Sequence, residues 1–332
     1  YLTLSKYILI FNFLSLIIVI FISVDFKGLN ILAKKNVKHI DYFAKNFHHP
    51  NLQSFFPDQN LILVILESFD KNTINKINLK YNDTNIENLK NFNKLKINNF
   101  YSFPGSNFTV GSMISTFCSV PFKLPDFPYK KFWELKDYTL YAEILKNHKC
   151  IQDLLNEKKY NTEFIANYEL NFQGFDNFLK YHPFDNIFSN KNLKKIYQPN
   201  PNGYYNSISD TDLFNFALKR LKNNINQNKN FFMVISNVDT HAPGSFYSRE
   251  KCKNFLSYEK NDIAYLCTIN ELNNFVYKLD ELNLKKTSLI LISDHLTSYK
   301  IEKDKLFNLI LTKKELEIND SIYGHYDLFP LM

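Results

Sequence analysis

Three apolar runs in this sequence end in residues that bind metals or move protons. NLILVILE runs from Asn60 into Glu67, FFMVISNV is followed by Asp239 and His241, and TSLILIS leads into Asp294 and His295. Ligands of open α/β sheets collect beyond the carboxyl ends of strands, so carboxylates and imidazoles at three such ends describe one site for a divalent cation. Oxygen and nitrogen donors of this kind suit Mn2+, Mg2+ or Zn2+. Each residue alone has a plain structural use: Glu67 can cap a helix, Asp294 can form a turn, and His295 can pack under a loop. It is their conjunction that points to chemistry. A fourth group comes from FPGSNFTVGSMISTFC, residues 103–118, where Gly105 and Gly111 flank Thr109. If Thr109 opens a helix, backbone N–H groups and the positive helix end face a phosphate held at its hydroxyl. Coordination to a cation would lower the hydroxyl pKa and make it a nucleophile toward phosphorus. The simpler alternative is an ordinary N-cap threonine.

The elements that must position these residues follow from periodicity. The runs at 60–67, 231–238 and 287–293 are apolar throughout, as in parallel strands covered on both faces. A polar helix is expected near Ile86 to Leu95, a second strand over 96–103, a helix over Thr139 to Lys158 and a short strand over 161–166. A helix over Asp210 to Asn224, capped by Asp210 or Thr211, and an amphipathic helix from about Tyr258 to Leu282 complete the series. Strands alternating with helices predict an α/β fold with a mixed, mainly parallel central sheet flanked by helices.

Composition narrows the chemistry. With 332 residues, 45% hydrophobic and 22% charged, the chain can bury a sizeable core and is neither disordered nor a small disulfide-stapled domain. Only 7 glycines occur, with no GxGxxG and no GxxxxGK[ST], so phosphate chemistry must rely on metal or side chains. The net charge of +7 is scattered, which argues against a nucleic-acid arm and supports no more than a mild attraction to anionic surfaces. Residues 4–24, LSKYILIFNFLSLIIVIFISV, have the length and apolarity of a transmembrane helix. A signal peptide is the alternative, but SVDFKGLN offers no small-residue cleavage site. Residues 25–58 then form a connector and 59–332 the catalytic domain. Lys27, Lys34, Lys35 and Lys38 follow the span, and a positive-inside count alone would leave that domain in the cytoplasm. Cys118, Cys150, Cys252 and Cys267 form no CxxC pair. Their spacing fits two local disulfides in an oxidising compartment, and equally four buried thiols.

Taken in order, ES, NFTVGSM, DTHAP and SDHL make residues 58–330 resemble the sulfatase-like phosphoglycerol and phosphoethanolamine transferases of the alkaline phosphatase superfamily. These are membrane enzymes with an extracytoplasmic catalytic domain. GSNFTVGSMISTFCSVPF, CIQDLL, QGFDNFLKYHPFD, and VDTHAPGSFYSREKC followed by AYLC are most similar to the bacterial phosphoglycerol transferases that modify osmoregulated periplasmic glucans. Sulfatases proper need a C/S-x-P-x-R context for formylglycine, which TVGSM lacks. The resemblance implies a metal held by Glu67, Thr109, Asp294 and His295, with Thr109 as nucleophile. It implies that His241 contacts the substrate phosphate or protonates the leaving oxygen, and that Asp239 and a lysine after SDH, Lys303 or Lys305, stand near the substrate. The plainer reading of either lysine is a solvated surface residue. All four cysteines fall on family cysteines, which implies disulfides and places the domain on the periplasmic side of an inner membrane. The implied donor is phosphatidylglycerol and the implied acceptor a glycan. The alternatives are phosphoethanolamine transfer to lipid A or another glycan, and a non-catalytic glycan- or lipid-binding module. The chain departs from the pattern with HPFD for HGFD, and with NSIS where Trp-Gly often precedes the Asp at 210. YDLFPLM resembles the start of a D-x-x-P-T element, with Leu331 in place of threonine.

Overall fold

A computed structural model describes residues 60–69, 71–81, 92–103, 105–120, 145–242, 244, 246–282, 284, 286–297, 305–312, 318 and 320–331. The expected span at 4–24 and the connector at 25–58 lie outside these residues. The chain divides into two units, Tyr1–His49 and Pro50–Met332, and the described residues all belong to the second. Among them no helix is long and apolar enough to cross a membrane.

Seven strands form one sheet: β1 (Asn60–Leu66), β2 (Asn93–Leu95), β3 (Asn161–Ala166), β4 (Asn186–Phe188), β5 (Phe231–Ser236), β6 (Thr287–Ser293) and β7 (Asn308–Thr312), in the order β2-β7-β6-β1-β5-β3-β4. β1 pairs in parallel with both β5 and β6, and β3 in parallel with β5 and β4. At the other end β7 runs antiparallel to β6 and to β2. Successive residues of a strand point to opposite faces, and β1 shows it. Leu61, Leu63 and Ile65 join a core with helices α2 (Thr109–Cys118), α3 (Ile151–Glu157) and α4 (Phe175–Tyr181). Ile62, Val64 and Leu66 join the opposite core, with α1 (Lys71–Tyr81), α6 (Asp210–Asn226) and α7 (Lys260–Glu281). The short helices α5 (Asn190–Leu193) and α8 (Leu328–Leu331) complete the set. A strand covered on both faces has no use for polar alternation, which is why these runs read as unbroken apolar stretches.

Several expected elements are corrected. Asn93–Leu95, expected at the end of a helix, is the edge strand β2; residues 86–91 of that expected helix lie outside the described residues, and a helix that was not expected stands at Lys71–Tyr81. The strand expected over 96–103 falls three residues sooner; Phe100 and Tyr101 make only isolated bridges to Tyr323 and Lys305. Within the helix expected over 139–158 the described part is continuous only from Ile151, because the Cys150 N–H is held by the Asp153 carboxylate at 2.9 Å and starts a new helix. Ser209, not Asp210 or Thr211, caps α6, its Oγ accepting the Asp212 N–H at 3.2 Å. Disulfides join Cys118 to Cys150, the end of α2 to the start of α3, and Cys252 to Cys267, a loop to α7.

Candidate metal and nucleophile site

The carboxyl ends of β1 and β6 lie side by side, and the chain leaving them is tied together before any ligand is considered. Glu67 is gripped through its backbone: its N–H donates to Asn237 Oδ1 at 2.8 Å, and its carbonyl accepts the Thr240 hydroxyl at 2.6 Å. Ser68 follows in the left-handed region at φ 54°, uncommon for a residue with a side chain. That turn aims its N–H at Asp294 Oδ1, 2.8 Å away, and its hydroxyl at Glu67 Oε1, 2.7 Å away. Asp294 Oδ1 also accepts the His295 N–H at 2.6 Å, and the Asp294 N–H reaches back to the Leu66 carbonyl at 3.0 Å.

Thr109 is the first residue of α2, whose N-cap, Phe108, supplies no side-chain cap. The first N–H groups of a helix have no partner inside it, so this end is suited to receive an anion. Gly111 lets the preceding turn fold onto the helix, since a Cβ there would stand 2.1 Å from the Gly105 carbonyl oxygen.

These elements bring the four expected ligands together. Thr109 Oγ1 lies 3.4 Å from Glu67 Oε2 and 3.4 Å from His295 Nε2. His295 Nε2 is 3.3 Å from Glu67 Oε1 and 3.2 Å from Asp294 Oδ2. His295 Nδ1 faces the Leu296 carbonyl at 2.9 Å. A carbonyl only accepts, so Nδ1 carries a proton and Nε2 is the atom offered to the centre, the arrangement usual for metal-ligating imidazoles. All three residues that flank Thr109 are buried, and Asp294 Oδ2 has no hydrogen-bond partner. Glu67, Asp294 and His295 place one ligand atom each within 4.8 Å of the others, a group that could hold a metal ion.

The electrostatics point the same way. Burial pushes Asp294 up, and the neighbouring Glu67 carboxylate pushes it further, to about 8. Burial opposes charge on His295 too, yet the Asp294 and Glu67 carboxylates win and raise it to about 10. Glu67, despite the cost of burial, is held down at about 2, chiefly by the charge on His295. Two buried carboxylates thus need a positive charge between them, and with no cation present a proton on His295 supplies it. A divalent cation in the same place would meet the orphaned Asp294 oxygen, so the residues fit the expected group.

Above this centre lies a cavity of about 370 Å³ with Glu67 and Thr109 in its lining. His241 also lines it, with Nδ1 facing the Ala242 carbonyl at 2.9 Å and its ring 4.6 Å from that of Tyr204. Asp239 and Lys305 do not. The Asp239 carboxylate turns back to accept the Asp210 N–H at 2.9 Å; burial, then the Asp210 carboxylate, raises it well above the usual range. Lys305 Nζ donates to Asn99 Oδ1 at 3.1 Å and lies over the Tyr101 ring. The reading from sequence did not single out Ser68, Asn237 and Thr240, which hold Glu67, nor Tyr168, Glu169, Asn171 and Tyr204 in the cavity wall. A signal existed: Asn237 and Thr240 sit inside the ISNVDTHAP motif, and Tyr168 to Asn171 follow a buried strand.

Fold and site together define a class. The fold is shared with solved structures: a protein of the alkaline phosphatase superfamily from Vibrio parahaemolyticus superposes with a TM-score of 0.62 at 20% identity, over 82% of this chain and 64% of that one. The lipoteichoic acid synthase LtaP from Listeria monocytogenes superposes with a TM-score of 0.60 at 20% identity, over 82% and 70%. Residues 59–319 match the family model Sulfatase, and the chain belongs to that family. Among curated relatives, phosphoglycerol transferase I of Escherichia coli O127:H6 is 24% identical over 263 residues, covering 76% of this chain. The match takes in 33% of that relative, so the chain spans about a third of its length.

Proposed function

We propose that the protein is a phosphotransferase that moves a phosphoglycerol group from phosphatidylglycerol to a glycan hydroxyl through an intermediate on Thr109. One observation carries the reading: Thr109 Oγ1 stands 3.4 Å from both Glu67 Oε2 and His295 Nε2, at the uncapped start of α2. Glu67, Asp294, His295 and the Thr109 hydroxyl would hold one divalent cation, Mn2+, Mg2+ or Zn2+, which when bound lowers the hydroxyl pKa and neutralises charge on phosphoryl oxygens. Thr109 Oγ1, its proton given up to solvent beforehand, bonds to phosphorus as the bond from phosphorus to the diacylglycerol oxygen breaks, and His241 supplies the proton that the departing oxygen needs. The free N–H groups at the start of α2 face the charge that develops on phosphorus-bound oxygens. An acceptor hydroxyl then displaces Thr109, giving up its proton to His241 and restoring the starting state. The name of the Escherichia coli relative supports glycerol phosphate as the group moved. The apolar stretch at 4–24 would anchor the domain beside its lipid donor, on the periplasmic side of the inner membrane.

A second reading, phosphoethanolamine as the group, has one observation in its favour. The cavity wall includes Glu169, whose carboxylate also pairs with Lys194 at 3.8 Å, and the Tyr204 and Tyr205 rings meet there at 79° with centroids 4.6 Å apart, a corner suited to an ammonium group. Incubating the full chain and Mn2+ with labelled phosphatidylglycerol, then with labelled phosphatidylethanolamine, decides between them by the mass added to the Thr109 peptide. Thr109→Ala should abolish diacylglycerol release, and an unchanged rate would refute the mechanism. The non-catalytic alternative predicts no adduct from either lipid.

A further inference from the structure

We infer that Asp210, outside the cavity and touching none of the four ligands, is the residue that sets the position of Glu67, acting through Asn237; this rests on the cation site proposed above. Asp210 is 2% exposed and sits at the first position of α6. Its Oδ2 accepts from Asn237 Nδ2 at 2.7 Å and from the Thr268 hydroxyl at 2.7 Å. Its Oδ1 accepts from Asn167 Nδ2 at 2.9 Å and from the Asp239 N–H at 3.3 Å. Every group hydrogen-bonded to the carboxylate, the Val238 N–H at 3.4 Å included, is a donor, and an ionised carboxylate offers only acceptors.

The consequence falls on Asn237. A side-chain amide has an accepting end and a donating end, and in isolation nothing chooses between its two orientations. Asp210 chooses: because it can only accept, Asn237 must present its NH2 to Asp210, which leaves Oδ1 toward the Glu67 N–H, 2.8 Å away. Reversing the amide would set two donors against each other at Glu67. The Thr240 hydroxyl holds the Glu67 carbonyl from the same loop and lies 3.4 Å from Asn237 Nδ2, so both polar groups of the Glu67 backbone are fixed by a loop that Asp210 orients. Glu67 carries the ligand oxygens at the end of β1; a small shift of its backbone moves them by more than a coordination bond tolerates. Outer partners of this kind are commonly worth about 10- to 100-fold in metal affinity.

The test is calorimetric titration of the full chain with Mn2+ alone, alongside kinetics of diacylglycerol release. Asp210→Asn puts an amide NH2 among donors whichever way it turns. It should weaken the Mn2+ Kd by about 10-fold or more and lower kcat, with the KM for lipid nearly unchanged. The combination of Asp210→Asn with Asn237→Asp reverses donor and acceptor across the contact while keeping an oxygen for the Glu67 N–H. It should recover most of the lost affinity, which a merely structural role for Asp210 would not produce. If Asp210→Asn binds Mn2+ as the unchanged chain does, or if the folded double variant is no better than the single, the inference is wrong while the cation site stands. If the unchanged chain binds no divalent cation, both fall together.

Discussion

At the scale of single residues, the centre is arranged around a positive charge, which a proton on His295 supplies when no cation is bound. Asp294 shows it best: Oδ1 receives two backbone N–H groups, whereas Oδ2 is buried without a partner beside His295 Nε2 and the Glu67 carboxylate. In Asp294→Asn the amide oxygen can keep both backbone bonds, but its NH2 meets an imidazole nitrogen that carries a proton when cation is absent. Two donors then face each other, so the variant should be less stable than the parent in chelator, by about 1 to 3 kcal/mol. It should also lose the rise in Tm that Mn2+ gives the parent, since a ligand that binds only the folded state stabilises it by mass action. Thermal melts with chelator and with Mn2+ read both effects, and a variant as stable as the parent in chelator, or one whose Tm still rises with Mn2+, would contradict the account. A companion change, Thr109→Ser, keeps the hydroxyl and should still form the lipid-derived adduct, at a reduced rate because the methyl that fixes the side-chain rotamer is gone.

At the scale of elements, α2 must deliver Thr109 to the strand ends, and two features hold it. Gly111 admits the turn at 105–108, so Gly111→Ala would force a Cβ against the Gly105 oxygen and move the start of the helix. We expect a loss of about 1 to 3 kcal/mol, as for other overpacked sites, together with loss of the Thr109 adduct; urea unfolding and mass spectrometry measure the two. At the other end the disulfide from Cys118 to Cys150 anchors α2 to α3, and replacing both cysteines by serine should cost about 2 to 4 kcal/mol, read as a lower urea midpoint. Elements of this kind differ in how far sequence reveals them. β1, β5 and β6 are long apolar runs because helices cover both their faces, and the polar residues just beyond β1 and β6 are the proposed ligands. β2 and β4 are three residues each, too short for any period to register, and their pairing is decided by neighbours far along the chain. β7, Asn308–Thr312, is a buried apolar run that only its antiparallel neighbours β6 and β2 make intelligible. Asp239 and Lys305 carried plausible chemistry, but residue type does not say which way a side chain points. The Asp210–Asn237–Glu67 connection was illegible for the same reason: it links three distant segments through backbone groups that every residue possesses.

At the scale of the molecule, the segment at 320–331 returns to the site end of the sheet, and His325 is its buried anchor. Its ring packs 5.3 Å from that of Phe100; Nε2 faces the Ser293 carbonyl at 2.9 Å, one residue before Asp294, while Nδ1 has no partner. Nε2 must carry the proton, leaving Nδ1 bare in an apolar setting, and a second proton there would be buried without an acceptor. Burial, and after it the charge on His295, lowers the His325 pKa to about 4, although the Ser293 carbonyl works in the opposite direction. An unfolded chain takes up a proton near the ordinary value of about 6.5, so the sign is fixed. Above that pH both states are neutral at this position and folding pays nothing for it. Between about 6.5 and 4 the unfolded state binds a proton that the folded state refuses, and stability falls by up to about 1.4 kcal/mol per pH unit, roughly 3 kcal/mol in all. Below about 4 the folded state protonates as well and the loss levels off. His325→Gln retains an N–H for the Ser293 carbonyl and cannot titrate, so it isolates this contribution from those of the carboxylates. Urea unfolding of parent and variant with chelator present, from pH 7 down to 4, should show the parent losing roughly 3 kcal/mol more than the variant, because only the parent carries this increment; parallel curves would show that His325 does not couple folding to acid.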